Sequence, residues 1–230
     1  MAAASSSPTP APHVFSLRIF LTPPQVYDGG LGGRVGGDPV LLAAAEDLTP
    51  LPWFTRASGK ASEFMVFLSR TFAAKTAPGQ RQGCQEGDYN GWVYQRQDGL
   101  SAVVLATNNY DRRVAFDLVQ KGMAAFEAHP DNWAWAQVDA DVAASASFQA
   151  EMAQLVARYQ KPEQADSILR CLAELESTKI VLHRSIECLL DRGQKIDDLA
   201  AKSADLSATS KHFLKKSQKL NSWCTSCSVM

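Results

Sequence analysis

Apolar residues in the last third of the chain recur at alternating gaps of three and four residues. The positions that follow this spacing are Ile168, Cys171, Leu175, Thr178, Leu182, Ser185, Leu189, Arg192, Ile196, Leu199, Ser203, Leu206, Ser210, Phe213, Ser217 and Leu220. A period of about 3.5 residues is typical of the seam of a left-handed coiled coil, whereas one face of a globular helix has a period of about 3.6. We therefore predict an α-helical coiled-coil segment over residues 161–221.

One position of this seam carries a charge. A guanidinium at Arg192 needs polar partners, because breaking a buried ion pair costs about 3–5 kcal/mol. Serine or threonine fills five further seam positions, which is too many for a homodimer that is stable by itself. Gly193, next to Arg192, disfavours a helix by roughly 1 kcal/mol. The alternative, a solvated helix packed on its own domain, predicts a stripe without charge. The pattern favours a segment that folds on binding helices of other chains, with Arg192 fixing register and partner.

The front of the chain alternates between strand and helix patterns. Strands are predicted over residues 14–21, 40–48, 89–96 and 100–107, with a shorter strand after Gly79, and helices over residues 61–76, 113–129 and 141–160. Residues 22–39, rich in proline and glycine, form a long hairpin connection, and the apolar run 103–105 indicates a central strand. Strands with segregated helices indicate an α+β domain. Pro162 disfavours helix before it and marks the domain boundary.

Composition narrows the class of protein. The chain has 230 residues, 20% charged residues and a net charge of -1, a balance that does not indicate nucleic-acid binding. Five cysteines, an odd number, indicate a reducing compartment. We predict a disordered extension over residues 1–12, a cytosolic chain without a membrane-spanning run, and no enzyme, because catalytic, metal-ligand and phosphate-loop spacings are missing.

The last four residues, Cys227 to Met230, fit a prenylation box, and a terminal methionine favours a farnesyl group on Cys227. One lipid gives only reversible attachment, so a second signal is expected. Cys224 is a candidate for palmitate or a second prenyl group, and the lysines of residues 211–219 would favour anionic lipid. The alternative, a redox or zinc C-x-x-C motif, lacks its structural context and further ligands. The only cofactor predicted is therefore a covalent lipid.

The chain resembles prenylated R-SNARE proteins of the Ykt type. The residues that carry the resemblance are 174–183, 191–196, 78–82, 89–96, 158–160 and the prenylation box. The resemblance implies a profilin-like longin domain over residues 13–160, with a five-stranded antiparallel sheet flanked by helices. A SNARE segment over residues 161–221 and a lipidated tail over residues 222–230 would follow.

The resemblance also implies functional roles. Arg192 becomes an ionic central layer that meets glutamines of Qa, Qb and Qc SNAREs in a four-helix bundle. The longin domain folds back on the SNARE segment, using an apolar groove to which Phe64 and Phe67 correspond. Both could equally be core residues, because their spacing puts them on one helical face. A prenyltransferase, the SNARE disassembly machinery and membrane lipids are the other implied partners.

These expectations give a first functional hypothesis and a rival. In the first, the chain is a reversibly membrane-bound R-SNARE that drives docking and fusion in ER–Golgi, Golgi, endosomal or vacuolar transport. In the rival, it is a soluble longin adaptor or regulator whose coil binds SNARE-like helices without driving fusion. The separation of Cys224 from Cys227 departs from the adjacent pair that is usual in the family. The Gly-rich hairpin and the N-terminal extension depart from it as well.

Overall fold

The computed structural model describes residues 11–23, 26–27, 34–35, 37–51, 59–86, 89–132, 134–161, 180–191 and 193–212. The strands are β1 (Val14–Leu21), β2 (Val26–Tyr27), β3 (Arg34–Val35), β4 (Val40–Glu46), β5 (Arg81–Glu86), β6 (Tyr89–Gln95), β7 (Leu100–Thr107) and β8 (Ile180–His183). The α-helices are α1 (Lys60–Lys75), α2 (Arg112–Ala128), α3 (Ala146–Tyr159) and α4 (Ile196–Lys202). Short 3-10 helices cover Pro130–Asn132, Trp135–Gln137 and Ile186–Leu189.

One mixed sheet organises the molecule. Its strand order is β4-β1-β7-β6-β5-β8, and every neighbouring pair is antiparallel except β5 with β8. The prediction of a five-stranded antiparallel sheet therefore holds for β1, β4, β5, β6 and β7, but the complete sheet has six strands, and β2 and β3 pair separately. The sixth, β8, comes from the C-terminal segment, and its β-branched Ile180 and Val181 suit an extended backbone.

Two apolar layers cover the two faces of this sheet. On one face, α2 and α3 pack over β1 and β7 through Leu17, Val104, Phe116 and Phe148, all fully or almost fully buried. On the other face, α1 packs through Met65, Phe72 and their neighbours. Every residue of β7 is buried, as the apolar run predicted for a central strand.

Capping residues set the helix limits that the sequence left approximate. The Asp111 side chain accepts bonds from the first amides of α2, so this helix begins at Arg112. Predicted to start at residue 141, α3 starts at Ala146, because Ser145 caps it and Asp141 bonds elsewhere. At the other end of α3, the side chain of Gln160 bonds both backbone groups of Val14.

The described part of the C-terminal segment is not the continuous helix that the coiled-coil pattern predicted. It contains β8, a 3-10 turn at Ile186–Leu189, α4 of seven residues, and a helical stretch at 208–212. Gly193 has φ +88° and separates the turn from α4. A segment with so many polar seam positions gains little as a lone helix. Instead, several of its apolar residues, among them Ile186, Leu189 and Leu206, are buried against the front domain, residues 13–160.

Candidate functional site

Strand β8 adds to the edge of the front domain through a parallel ladder. Its residues 180–183 pair in register with residues 81–84 of β5. The ring of His183 bonds the Gln82 side chain at 3.0 Å, and burial lowers the pKa of this histidine. A Cβ built at Gly83 would lie 2.2 Å from the Trp92 ring and 3.0 Å from Leu182, so glycine lets both side chains close over the backbone. The ladder fixes where the C-terminal segment starts to dock.

The 3-10 turn that follows β8 buries two large side chains. Ile186 and Leu189, 5% and 8% exposed, join an apolar cluster of the front domain. The front-domain members of this cluster are Phe15, Phe20, Met65, Phe72, Ala73, Cys84, Val93, Val103 and Leu105. Full burial of a side chain of this size contributes about 1.5–3 kcal/mol. The C-terminal segment therefore completes one of the two apolar cores.

Helix α4 and the loop after it cover the outer face of α1. Phe67, Ala200 and Leu206 form a buried cluster, against which four partly buried side chains pack. These four are Phe64, Leu68, Ile196 and Leu199. The rings of Phe64 and Phe67 lie 6.5 Å apart. The sequence left open whether these two phenylalanines are core residues or groove residues. In the structure, both lie against the C-terminal segment.

Arg70 forms the polar centre of the docking surface, by which we mean the surfaces of α1 and β5 that contact residues 180–212. Its Nε and Nη2 donate to the two oxygens of Asp205 at 2.9 and 3.0 Å, and Nη2 also donates to Asp141 at 2.6 Å. Burial by itself would lower the pKa of Arg70. Hydrogen bonds to Asp141 and Asp205 outweigh this effect and raise the pKa, so the guanidinium stays charged.

Two further polar contacts flank Arg70 along α1. Lys75 Nζ lies 2.5 Å from Asp191 Oδ2 and 3.0 Å from Gln194 Oε1. At the other end, the Ser207 backbone amide donates to Glu63 at 2.9 Å. This hydrogen bond, with further bonds from the Ser210 and Ser207 hydroxyls, lowers the pKa of Glu63. The helix therefore contacts the C-terminal segment from its first turn to its last.

The predicted seam positions behave differently in this docked arrangement. Leu189, Leu206 and Ser210 are buried, whereas Leu182 is 54% exposed. Partly buried are Ser185, Ile196, Leu199 and Ser203. The predicted residues that lie outside the described part are Ile168, Cys171, Leu175, Thr178, Arg192, Phe213, Ser217, Leu220, Cys224 and Cys227.

Sequence reasoning missed the polar partners of this site. Arg70 and Asp205 are 135 residues apart, and each stands in a stretch where a charged residue ordinarily faces solvent. Ile186 was also missed, because it is outside the 3.5-residue seam. Only a contact map could have found these residues, since no local spacing marks them.

Within the described residues, none of the helices combines the length and the apolar character required to cross a bilayer. The same residues contain no group of histidine, cysteine and acidic side chains arranged to hold a metal ion. The docking surface consists of an apolar groove, the sheet edge of β5 that β8 occupies, and three charged side chains. Such a surface binds a polypeptide segment.

Two family models match this chain. The Synaptobrevin model matches residues 167–228, and the Regulated-SNARE-like domain (Longin) matches residues 51–152. The first match contains the C-terminal segment that occupies the docking surface, and the second contains α1 and β5, which form it. The two matches therefore correspond to the two sides of the contact described above.

Relatives align with most of the chain. A Synaptobrevin homolog YKT6 from Debaryomyces hansenii is 40% identical over 83% of this chain and 94% of its own length. The Saccharomyces cerevisiae Synaptobrevin homolog YKT6 is 39% identical over 83% of this chain and 94% of its own length. The VAMP-like protein YKT61 of Arabidopsis thaliana is 37% identical over 82% of this chain and 91% of its own length. Alignment through both domains at this identity assigns family and fold together, and the chain belongs to the Ykt-type longin R-SNARE family, whose members are non-enzymatic trafficking proteins.

Proposed function

We propose that this R-SNARE alternates between the docked form described above and a released form that enters a four-helix bundle with Qa, Qb and Qc SNAREs. In the released form, Arg192 would meet one glutamine from each partner as the ionic central layer. Bundle formation from Ile168 toward Leu220 would then draw two membranes together. The docked form is therefore autoinhibited.

The observation that carries this proposal is the burial of seam residues in the docked form. Leu189 and Leu206 are 8% and 4% exposed because they contact the front domain, and Ile196 packs beside them. In a four-helix bundle the same side chains must point to partner helices. One side chain cannot occupy both places, so docking and bundle formation exclude each other.

Attachment to membranes in this proposal depends on the tail. Cys227 would carry a farnesyl group added by a protein prenyltransferase, and Cys224 would carry palmitate or a second prenyl group. A single chain binds a bilayer weakly and reversibly, so the number of lipids decides how long the protein stays there. Reversible attachment suits a protein that serves Golgi, endosomal, vacuolar or vesicle membranes from the cytosol. After fusion, the SNARE disassembly machinery would return it to the docked form.

The test is Phe67→Glu in the full-length lipidated chain, with Phe67→Leu as the matched control. A carboxylate in the buried cluster of Phe67 should release the segment, because an unpaired buried charge is costly. We expect faster hydrogen exchange in α4, a larger membrane-bound fraction and faster assembly with Q-SNAREs. The leucine variant should remain close to the parent chain.

Cys227→Ser completes this test. In the Phe67→Glu background, it should abolish the gain in membrane binding while leaving the faster exchange of α4 unchanged. Membrane recruitment that survives Cys227→Ser would contradict the lipid anchor. Released chains that bind Q-SNAREs yet fail to merge liposomes would favour the adaptor function instead.

A further inference from the structure

Three consecutive residues of the C-terminal segment are held by three residues on one stripe of α1. Glu63, Phe67 and Arg70 stand at positions i, i+4 and i+7, a spacing that aligns side chains along one helical face. The pairs are Arg70 with Asp205, Phe67 with Leu206, and Glu63 with the backbone amide of Ser207. On the helix, a cation, an aromatic ring and a carboxylate therefore face, in that order, an acid, an apolar side chain and a backbone amide of the segment.

We propose that this stripe of Glu63, Phe67 and Arg70, the registration stripe, is a recognition site for an acidic residue followed by an apolar residue and an unbonded amide. Its occupant in the docked form is the sequence Asp205–Ser207. Asp205 thereby determines the register in which the C-terminal segment docks. The inference rests on the proposed function, because it assigns register in the autoinhibited form.

The apolar contact of Leu206 by itself does not define this register. Seam residues repeat every three or four positions, so a shift of the segment by seven residues places Leu199 where Leu206 lies. The acid repeats as well, since Asp198 precedes Leu199 as Asp205 precedes Leu206. The registration stripe must therefore distinguish two Asp-Leu pairs that lie seven residues apart.

The third contact makes the distinction. The residue after Leu199 is Ala200, which lies inside α4, where its amide bonds the carbonyl four residues earlier. Ser207 lies in the break between α4 and the helical stretch at 208–212, so its amide can donate to Glu63. Of these two Asp-Leu pairs, the one in Asp205–Ser207 satisfies all three members of the stripe. Accordingly, Asp198 is exposed, whereas the Asp205 side chain is 12% exposed.

Groups of the front domain also hold the guanidinium of Arg70. Asp141 and the Pro39 carbonyl bind its Nη groups from the front domain, which leaves Nε and one Nη2 direction toward Asp205. A pre-positioned fork loses little side-chain entropy when it binds a carboxylate. Arg18, fully buried on β1, adds a second cation whose charge Asp205 favours. Docking of Asp205 is therefore favoured over docking of a neutral residue.

The experiment compares Asp205→Asn with Asp198→Asn in the full-length chain by hydrogen exchange of residues 180–212. Each substitution removes one carboxylate from the same Asp-Leu pattern. Because a hydrogen bond to a charged group is worth about 10- to 100-fold in equilibrium, Asp205→Asn should raise exchange in α4 by about that factor. Asp198→Asn should change it by less than about threefold. Exchange of β7 should stay unchanged in both, which shows that the front domain remains folded.

A double-mutant cycle with Arg70→Gln separates registration from other effects. Asp205→Asn should raise hydrogen exchange of α4 strongly when Arg70 is present and only slightly in the Arg70→Gln background. Added salt should raise this exchange in the parent chain but not in the double variant. Equal effects of Asp205→Asn and Asp198→Asn, or additive effects of Asp205→Asn and Arg70→Gln, would overturn the inference. If Phe67→Glu also failed to release the segment, the autoinhibited form itself would be wrong. Release by Phe67→Glu alone would leave that form standing and remove only the registration role.

Discussion

Lys75 at the end of α1 and Asp191 in the C-terminal segment form an ion pair, with 2.5 Å between Nζ and Oδ2. The residue after Asp191 is Arg192, the proposed ionic layer. The docked form thus ties the segment to the front domain immediately beside the position proposed to meet the partner helices. Under that proposal, entry into a bundle requires this contact to break.

Lys75→Ala should weaken docking only slightly. The Lys75 side chain is 14% exposed and Asp191 is 38% exposed, so water screens the pair and its contribution is about 0.2–1 kcal/mol. Hydrogen exchange of residues 186–191 should rise by less than about fivefold at low salt, and the difference from the parent chain should vanish at 1 M salt. If Lys75→Ala raised hydrogen exchange as much as Phe67→Glu does, the ion pair would contribute more to docking than we expect.

Leu189→Ala and Leu182→Ala form a matched pair of seam substitutions. Leu189 is 8% exposed and Leu182 is 54% exposed in the docked form. Truncation of a buried leucine costs about 2–5 kcal/mol, whereas truncation of a half-exposed one costs much less. Leu189→Ala should therefore open the segment, measured by exchange of residues 180–202, while Leu182→Ala leaves it largely closed. Thermal stability of a bundle with Q-SNAREs should fall in both variants, because each leucine is then a seam residue.

Acid should release the region around Ser207. The pKa of Glu63 is lowered in the docked form by bonds from Ser207 and Ser210, whereas in a released segment it returns toward 4.5. Its contribution to docking is therefore complete above about pH 4.5 and is lost as pH falls through the lower, docked pKa. Chemical shifts of the Ser207 amide should report this loss. Glu63→Gln should remove the pH dependence while Glu127→Gln, on the exposed face of α2, should not.

Arg18→Met combined with Glu46→Leu, which replaces both partners of the ion pair, should stabilise the front domain. Arg18 is fully buried with Glu46 as its partner, and no described residue accepts from its Nε or Nη1. Burial lowers its pKa to about 10, although Glu46 and Asp205 act in the opposite direction. Replacing a buried ion pair by apolar groups is neutral or stabilising by about 1–4 kcal/mol. Denaturant unfolding should show this gain, and a clear loss of stability would mean that the ion pair is net favourable.

The sequence predicted the strands of the main antiparallel sheet and the long helices of the front domain because their burial follows simple periods, but it did not predict the short pair of β2 and β3 inside the hairpin connection. Helix limits were less accurate where a side chain such as Ser145 decided the start. The heptad pattern predicted a continuous helix for the C-terminal segment, since such a pattern is typical of helices that pack in a coiled coil. The docked strand β8 and the short α4 follow from contacts with the front domain, and those contacts leave no local signal.

Phe64 and Phe67 show where sequence reasoning about the site stopped. Periodicity placed them on one face of α1, but it could not tell whether core or C-terminal segment covers that face. Arg70, on the same helix, carried no signal because its partners Asp141 and Asp205 are 71 and 135 residues away. A charge that lies opposite two distant acids can be recognised only after the chain has folded.

The parallel pairing of β8 with β5 also protects the protein before it meets a partner. When β8 leaves, β5 becomes an unpaired sheet edge beside the exposed groove of Phe64 and Phe67. An unpaired edge next to an apolar surface is a template for intermolecular strand pairing and aggregation. In the docked form the outermost strand on this side of the sheet is β8, only four residues long, which offers little for another chain to extend. A chain that opened without a partner would therefore expose a surface that favours aggregation.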